Sequence, residues 1–196
     1  MLNDKLKDYN IILASASPRR HEFLKSMNID FEVRLHPVNE VYSNKLKGTE
    51  ITDYLAKLKA EAFEESLKGN DILITSDTIV WLENKPVEKP IDEDDAFRMI
   101  KSLSDKTHEV MTSICFTQKS GQKTVNTTTK VTFKALTDDE IWYYVNTYKP
   151  LDKAGAYGIQ EWIGAIAITN IEGSYNNVVG LPTHLLYETL INIVNA

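Results

Sequence analysis

Strand-type runs alternate with helical patterns along this chain, and that alternation restricts the fold more than any other feature. Ile11–Ser15 reads as a strand. Pro18–Met27 reads as a helix, with Ser17 as its cap and Pro18 at the first helical position, where a missing N–H costs little. "FEVRL" is predicted as a second strand and Thr49–Leu67 as a helix, with Ile51, Leu55, Leu58 and Ala62 on one face. "DILITSD" reads as a buried strand, and "TIVWLENKPVEKP" as a hairpin turning near Asn84. "DEDDAFRMIKSL" is predicted helical, with acids in its first turn. Two β-rich runs follow, His108–Gln118 and Gln122–Leu136. "TDDEIWYYVNTY" opens with a capping box, Thr137 to Glu140. "WIGAIAITNIEG" is expected as a strand and Leu181–Val194 as a closing helix. The pattern is α/β.

At 196 residues the chain is long enough for one domain, or a two-lobed unit, with a substantial core. A net charge of −6 speaks against general nucleic-acid binding, which needs a basic surface. No run approaches the ~18 apolar residues of a membrane span, so no membrane partner is expected. "MLNDKLKDYN" has no apolar run of a secretory signal. The single cysteine, Cys115, reads as a buried core thiol, and a chain without disulfides suits the cytoplasm. The four histidines lack metal-ligand spacing, and His108 and His184 read as structural.

Against this acidic background, "SASPRR" stands out. A helix start offers free N–H groups and a positive dipole end. Ser15 and Ser17 add hydroxyls, and Arg19 and Arg20 add forked donors that match phosphate oxygens. Two cations at a helix N-terminus call for a compensating anion; the alternative is a capped helix with solvated arginines. Asp77 closes a buried strand, where open α/β sheets place ligands, and could hold a divalent metal or accept a proton from water. Thr78 beside it is either a β-former or a ligand contact. Lys89 ends the second hairpin arm and could neutralise phosphoryl charge, whereas Lys85 at the hairpin tip reads as solvated. Glu40 and Lys59 carry little signal alone. "DKAGAYGIQ" has small residues that permit close backbone approach, and Gln160 offers a donor and an acceptor to a base edge.

Taken in order, "LASASPRRHEFL", "LKAEA", "SDTIV", "EKPIDEDDA", "THEVMT", "DKAGAYGIQ" and "GSYNNVVGLP" resemble the successive motifs of the Maf family of nucleoside triphosphate pyrophosphatases, from about Ile11 to Leu190. The resemblance implies an α/β fold like that of inosine triphosphate pyrophosphatases. Residues 1–196 would form one such domain, an elongated mixed sheet with flanking helices in two lobes and a nucleotide cleft between them. It implies a divalent cation, Mg²⁺ or Mn²⁺, and a homodimer. By matched motif, Asp77 is the catalytic acid residue, and Ser15, Ser17, Arg20, Lys59 and Lys89 handle phosphates. Glu40 lies near the metal with Asp77, and Arg19, Thr78 and Gln160 mark the subfamily acting on dTTP and UTP. The expected reaction gives the monophosphate and pyrophosphate, removing unwanted or modified nucleotides. The rival reading is a nucleotide-binding regulator of septum formation with incidental turnover. The chain departs from the family pattern at Asp105 and Ser113, where glycine is common, and at Glu161 and Trp162, where small residues are usual.

Overall fold

The computed structural model describes residues 1–195. Its strands are β1 (Asn10–Leu13), β2 (Glu32–Val33), β3 (Asp71–Leu82), β4 (Lys85–Val87), β5 (Thr107–Gln118), β6 (Gly121–Phe133) and β7 (Ile168–Glu172). Its helices are α1 (Leu2–Lys5), α2 (Pro18–Ser26), α3 (Thr49–Glu61), α4 (Glu93–Leu103), α5 (Asp138–Tyr148), α6 (Trp162–Ala167), α7 (Tyr175–Val179) and α8 (Thr183–Val194). The strands follow the order β2-β1-β3-β5-β6-β7, with β4 paired to β3. β1 is parallel to β2 and β3, whereas β4 and β7 run antiparallel to their neighbours, so the sheet is mixed, as the family resemblance implies, in an α/β fold, as the alternating pattern predicts. Two compact units share these elements: residues 1–77, 112–127 and from 180 onward form the first, and residues 78–111 and 128–179 the second. Among the described residues no helix is long and apolar enough to cross a membrane.

In the first unit the period-2 alternation of strand side chains sorts the core into two faces. Ile11, Leu13, Ile72, Ile74, Ile114 and Phe116 pack with Leu24 of α2 and with Leu186 and Leu190 of α8. On the opposite face Ile12, Leu73 and Cys115 pack with Ala56 and Ala60 of α3. Each fully buried Ile or Leu contributes about 1.5–3 kcal/mol. Leu2 and Leu6, one helical turn apart, are buried in the first of these clusters, which explains an N-terminal helix that its mixed charges conceal. The helix expected over Thr49–Leu67 stops at Glu61 and continues only as a 3₁₀ turn, Glu64–Ser66, flanked by the buried Phe63 and Leu67.

In the second unit, Val80, Val110, Val131 and Phe133 meet Ile100 and Leu103 of α4 and Ile141, Tyr144 and Val145 of α5. The hairpin turns at Glu83 and Asn84, with φ of 49° and 64°, the left-handed pair a two-residue turn demands. The expected capping box is present: Glu140 N–H donates to Thr137 Oγ1 (3.2 Å), and Thr137 N–H to Glu140 Oε2 (2.8 Å). Asp105 has a φ of 58°, a left-handed conformation that glycine adopts at least cost. Other expectations are overturned: of "FEVRL" only Glu32–Val33 is strand. "WIGAIAITNIEG" is not one strand: Trp162–Ala167 is helical, and only Ile168–Glu172 pairs in the sheet. The helix can start there because residue 164 is glycine. A Cβ at that position would lie 1.8 Å from the Ile159 carbonyl oxygen.

Candidate functional site

Seven of the expected site residues belong to the first unit. β1 delivers the chain to Ser15, which is buried, and α2 then starts at Pro18 with Ser17 in the cap position. Ser17 does not cap with its side chain, contrary to expectation. Its backbone N–H donates instead to Ser15 Oγ (3.2 Å), so Ser15 stabilises the turn and Ser17 is left to its backbone role. His21, one turn into α2, fixes the same turn through Nε2, 2.6 Å from the Ser15 carbonyl oxygen.

Arg19 and Arg20 are both half-buried. Arg20 Nε donates to the Gly180 carbonyl (3.0 Å) and Nη1 to the Ser76 carbonyl (2.8 Å), with Ser15 Oγ at 3.4 Å. These bonds hold the guanidinium against the residue preceding Asp77. Burial pulls Arg20 below the usual arginine range; the charges of Asp77 and Glu40 oppose that shift, and Arg19 adds to it. The pattern is that of a cation held in place near two carboxylates.

Asp77 does not close its strand as expected: β3 continues to Leu82, and Asp77, which is buried, lies within it as the last of its residues to belong to the first unit. Lys59, near the end of α3, reaches it: Nζ lies 2.6 Å from Asp77 Oδ1 and 3.1 Å from Glu40 Oε2. α3 is held at this height by Thr75, whose Oγ1 donates to the Ala56 carbonyl (2.6 Å). Thr75 is two residues before Asp77, on the same face of β3. Lys59 therefore brings together two carboxylates that are far apart in sequence. Ser113 is buried: its Oγ donates to Asp53 Oδ1 (2.6 Å) and is 2.6 Å from Thr52 Oγ1, so it bonds to α3 rather than to the acid pair.

The remaining expected residues belong to the second unit. Thr78 follows Asp77 on β3 and is half-buried. Lys89 is exposed just beyond β4, and Lys85 is exposed at the first residue of β4. The Ala154–Ala156 segment is a 3₁₀ turn with Gly155 at φ 69°, and its N–H donates to the Glu88 carbonyl (3.0 Å), so it fixes the residue before Lys89. A Cβ on Gly155 would meet Val80 at 2.9 Å, hence the glycine. Gln160 is exposed, and Trp162 is occupied edge-to-face with Tyr143, the ring centroids 4.8 Å apart.

Among the described residues no three His, Cys, Asp or Glu side chains assemble to hold a metal ion. The Asp77–Glu40 pair still fits a hard divalent cation, because Mg²⁺ is commonly bound through one or two carboxylates plus substrate phosphates and water. Thiol and imidazole donors, which suit softer metals, are not needed there. His108 is buried, 2.7 Å from Tyr157 Oη, and burial lowers its pKa to about 4; His184 is exposed on α8.

The mixed sheet with its flanking helices defines an α/β protein, in which Lys59 of α3 lies between the Asp77 and Glu40 carboxylates. The chain belongs to the Maf family: the family model described as Maf-like protein matches residues 10–193. It is 58% identical over 194 residues, 99% of this chain and 100% of the relative, to the dTTP/UTP pyrophosphatase of Flavobacterium johnsoniae. It is 56% identical over 196 residues, the whole of both chains, to the dTTP/UTP pyrophosphatase of Christiangramia forsetii. Among solved structures it is similar to the Staphylococcus aureus Ham1 protein, with a TM-score of 0.56 at 19% identity, covering 94% of this chain and 99% of that one. This last likeness bears on the fold.

Proposed function

We propose that the protein hydrolyses dTTP and UTP to the nucleoside monophosphate and pyrophosphate, removing unwanted or modified pyrimidine nucleotides. The observation that carries the reading is Lys59 held between Asp77 and Glu40, with Arg20 tethered one residue from Asp77. The names of relatives at 58% and 56% identity support the substrate.

In this reading Arg20 and Lys59 bind phosphate oxygens and spread their charge as pyrophosphate leaves. Neither needs to reorganise much, because both are already held in place. Asp77 Oδ1 is engaged by Lys59, which leaves Oδ2 for one of two roles: ligand to a divalent cation with Glu40, or acceptor of the attacking water's proton. Ser15 shapes the turn that presents the α2 N-terminus, and Ser17 and Arg19 flank it. Lys89 adds a further cation for the phosphates. Asp77 and Glu40 would hold Mg²⁺ or Mn²⁺, which when bound supplies charge neutralisation for the phosphates. Arg19, Thr78 and Gln160 serve base choice: uracil and thymine share an acceptor–donor–acceptor edge, and a glutamine amide meets a donor and an acceptor side by side. Cytosine would leave such groups unpaired. A homodimer in the cytoplasm, with one nucleotide domain per chain, completes the reading.

The test is pyrophosphate release across UTP, dTTP, CTP, ATP and GTP with Mg²⁺ or Mn²⁺. The expected result is a higher kcat/KM for UTP and dTTP than for the others. A preference for a purine or for CTP refutes the substrate choice, and release of orthophosphate alone refutes the reaction.

A further inference from the structure

Glu161 is a carboxylate set among partly and fully buried residues of the second unit, and its surroundings are specific. It occupies the N-cap position of α6 in an extended conformation, yet its side chain makes no capping bond. The carboxylate turns inward instead. Tyr144 Oη–H donates a very short hydrogen bond to Glu161 Oε2. The same hydroxyl oxygen accepts from the Gly158 N–H at 3.0 Å. On the other side Lys153 Nζ lies 3.3 Å from Glu161 Oε1 and 2.7 Å from Asp152 Oδ1. Tyr144 is fully buried and Lys153 is only 9% exposed.

These bonds close a frame around a single turn. Glu161 N–H donates to the Gly158 carbonyl (3.0 Å), so Gly158 and Glu161 are the ends of a four-residue turn with Ile159 and Gln160 at its centre. Ile159 is buried in the core and anchors one central position. Gln160 occupies the other and is exposed. Tyr144 ties both ends of the turn to one atom, and Lys153 holds the Glu161 carboxylate from behind. The fit is close: a Cβ on Gly158 would lie 2.8 Å from Glu161 Cδ and 3.1 Å from Gln160 Nε2.

We infer that Glu161 is a positioning residue for base selectivity, holding through Tyr144 and Lys153 the turn that presents the Gln160 amide. The inference rests on the reading of Gln160 as a base contact. An amide recognises a base edge only if its donor and acceptor are held in register with it. A loosened turn lets the side chain rotate and accept cytosine as readily as uracil. Glu161 itself touches no base in this account.

The experiment measures kcat and KM for UTP and CTP with wild-type protein, Glu161→Gln and Tyr144→Phe. Glu161→Gln keeps the shape but directs an uncharged amide at Lys153. Tyr144→Phe keeps the ring and removes the shared hydroxyl. Each variant is expected to reduce the UTP-to-CTP ratio of kcat/KM by at least about tenfold, the loss on UTP falling in KM rather than kcat. A purely structural role would lower both substrates alike and leave the ratio in place. A ratio kept within about twofold in either folded variant, checked by circular dichroism, overturns the inference. A wild type without preference for UTP overturns the substrate reading itself, whereas a wild-type preference that both variants retain overturns only the role of Glu161.

Discussion

Replacing Asp77 by asparagine keeps the side-chain shape and removes one charge from a group of five. Around it stand Lys59 at 2.6 Å, Glu40 on the other side of that lysine at 3.1 Å, and the Arg20 and Arg19 guanidiniums. Three cations face two carboxylates, so the substitution leaves three cations facing one and destabilises the free protein. A charge-assisted hydrogen bond contributes roughly 1.5–3 kcal/mol. Lys59 retains Glu40, and its side chain is 18% exposed, so screening reduces the loss to about 1–2 kcal/mol. For a chain of this size that is a fall in Tm of about 2–8 °C. Catalysis should fall much further, by at least ~10² in kcat, the usual contribution of a positioned acid or base. The assay pairs thermal melting by circular dichroism with pyrophosphate release at saturating UTP and Mg²⁺. Added salt should narrow the Tm difference, because the interaction is partly screened. Near wild-type turnover in the folded variant refutes Asp77 as the catalytic carboxylate. A rise in Tm would show that the local charge count is wrong in sign.

Three further outcomes are expected. Arg20→Lys keeps the charge but loses the fork that spans the Gly180 and Ser76 carbonyls, so kcat/KM for UTP should fall about tenfold or more; an Arg20→Lys enzyme as active as wild type would refute the tethering argument. Lys89→Ala should cost UTP hydrolysis about ten- to a hundredfold while Lys85→Ala costs little, and the reverse order would misassign the hairpin lysines. His108 titrates near 6.5 when unfolded and about 4 when folded, so the unfolded chain binds the proton first, and stability falls as pH drops from 6.5 to 4 and levels off below. At pH 5 this group alone should cost about 2 kcal/mol relative to pH 7.5. Denaturant unfolding should therefore show a steeper acid loss for wild type than for His108→Phe, and parallel pH profiles would refute the assignment.

What could be read from the residues divides along physical lines. The run His108–Gln118 is rich in β-branched residues, and the Thr137–Glu140 box is a local bonding pattern, so both were legible; the strand beginning at Asp71 was also legible, but not that it continues through Asp77 to Leu82. "WIGAIA" is apolar without alternation, and its helical state depends on Gly164 fitting over the Ile159 carbonyl, a contact that composition does not reveal. The α1 helix was hidden because a pair such as Leu2 and Leu6 signals a helix only when α8 is there to bury it. In the site, phosphate-type residues at a helix start could be recognised locally, whereas the strand end expected at Asp77 was wrong, because β3 runs on to Leu82. The bridge from Lys59 to Asp77 and Glu40 could not be recognised, since it links residues 18 and 19 positions apart through packing of α3 on β3. Glu161 was visible as an oddity, but its partner Tyr144 is 17 residues earlier and on another helix.

The chain passes from one unit to the other after residues 77, 111, 127 and 179, and the last of these passages has a consequence for biosynthesis. Leu181, Leu186 and Leu190 belong to the core of the first unit, and the Gly180 carbonyl is one of the anchors of Arg20. On the ribosome, strand β1 and α2 with its arginines emerge long before Leu181, Leu186 and Leu190, which pack on them. A nascent chain stalled before Gly180 therefore has an unfinished apolar face and an arginine without one of its two backbone acceptors. Such a chain should be a chaperone client and inert toward nucleotides, so that hydrolytic competence arises only once residues 180–194 have left the exit tunnel.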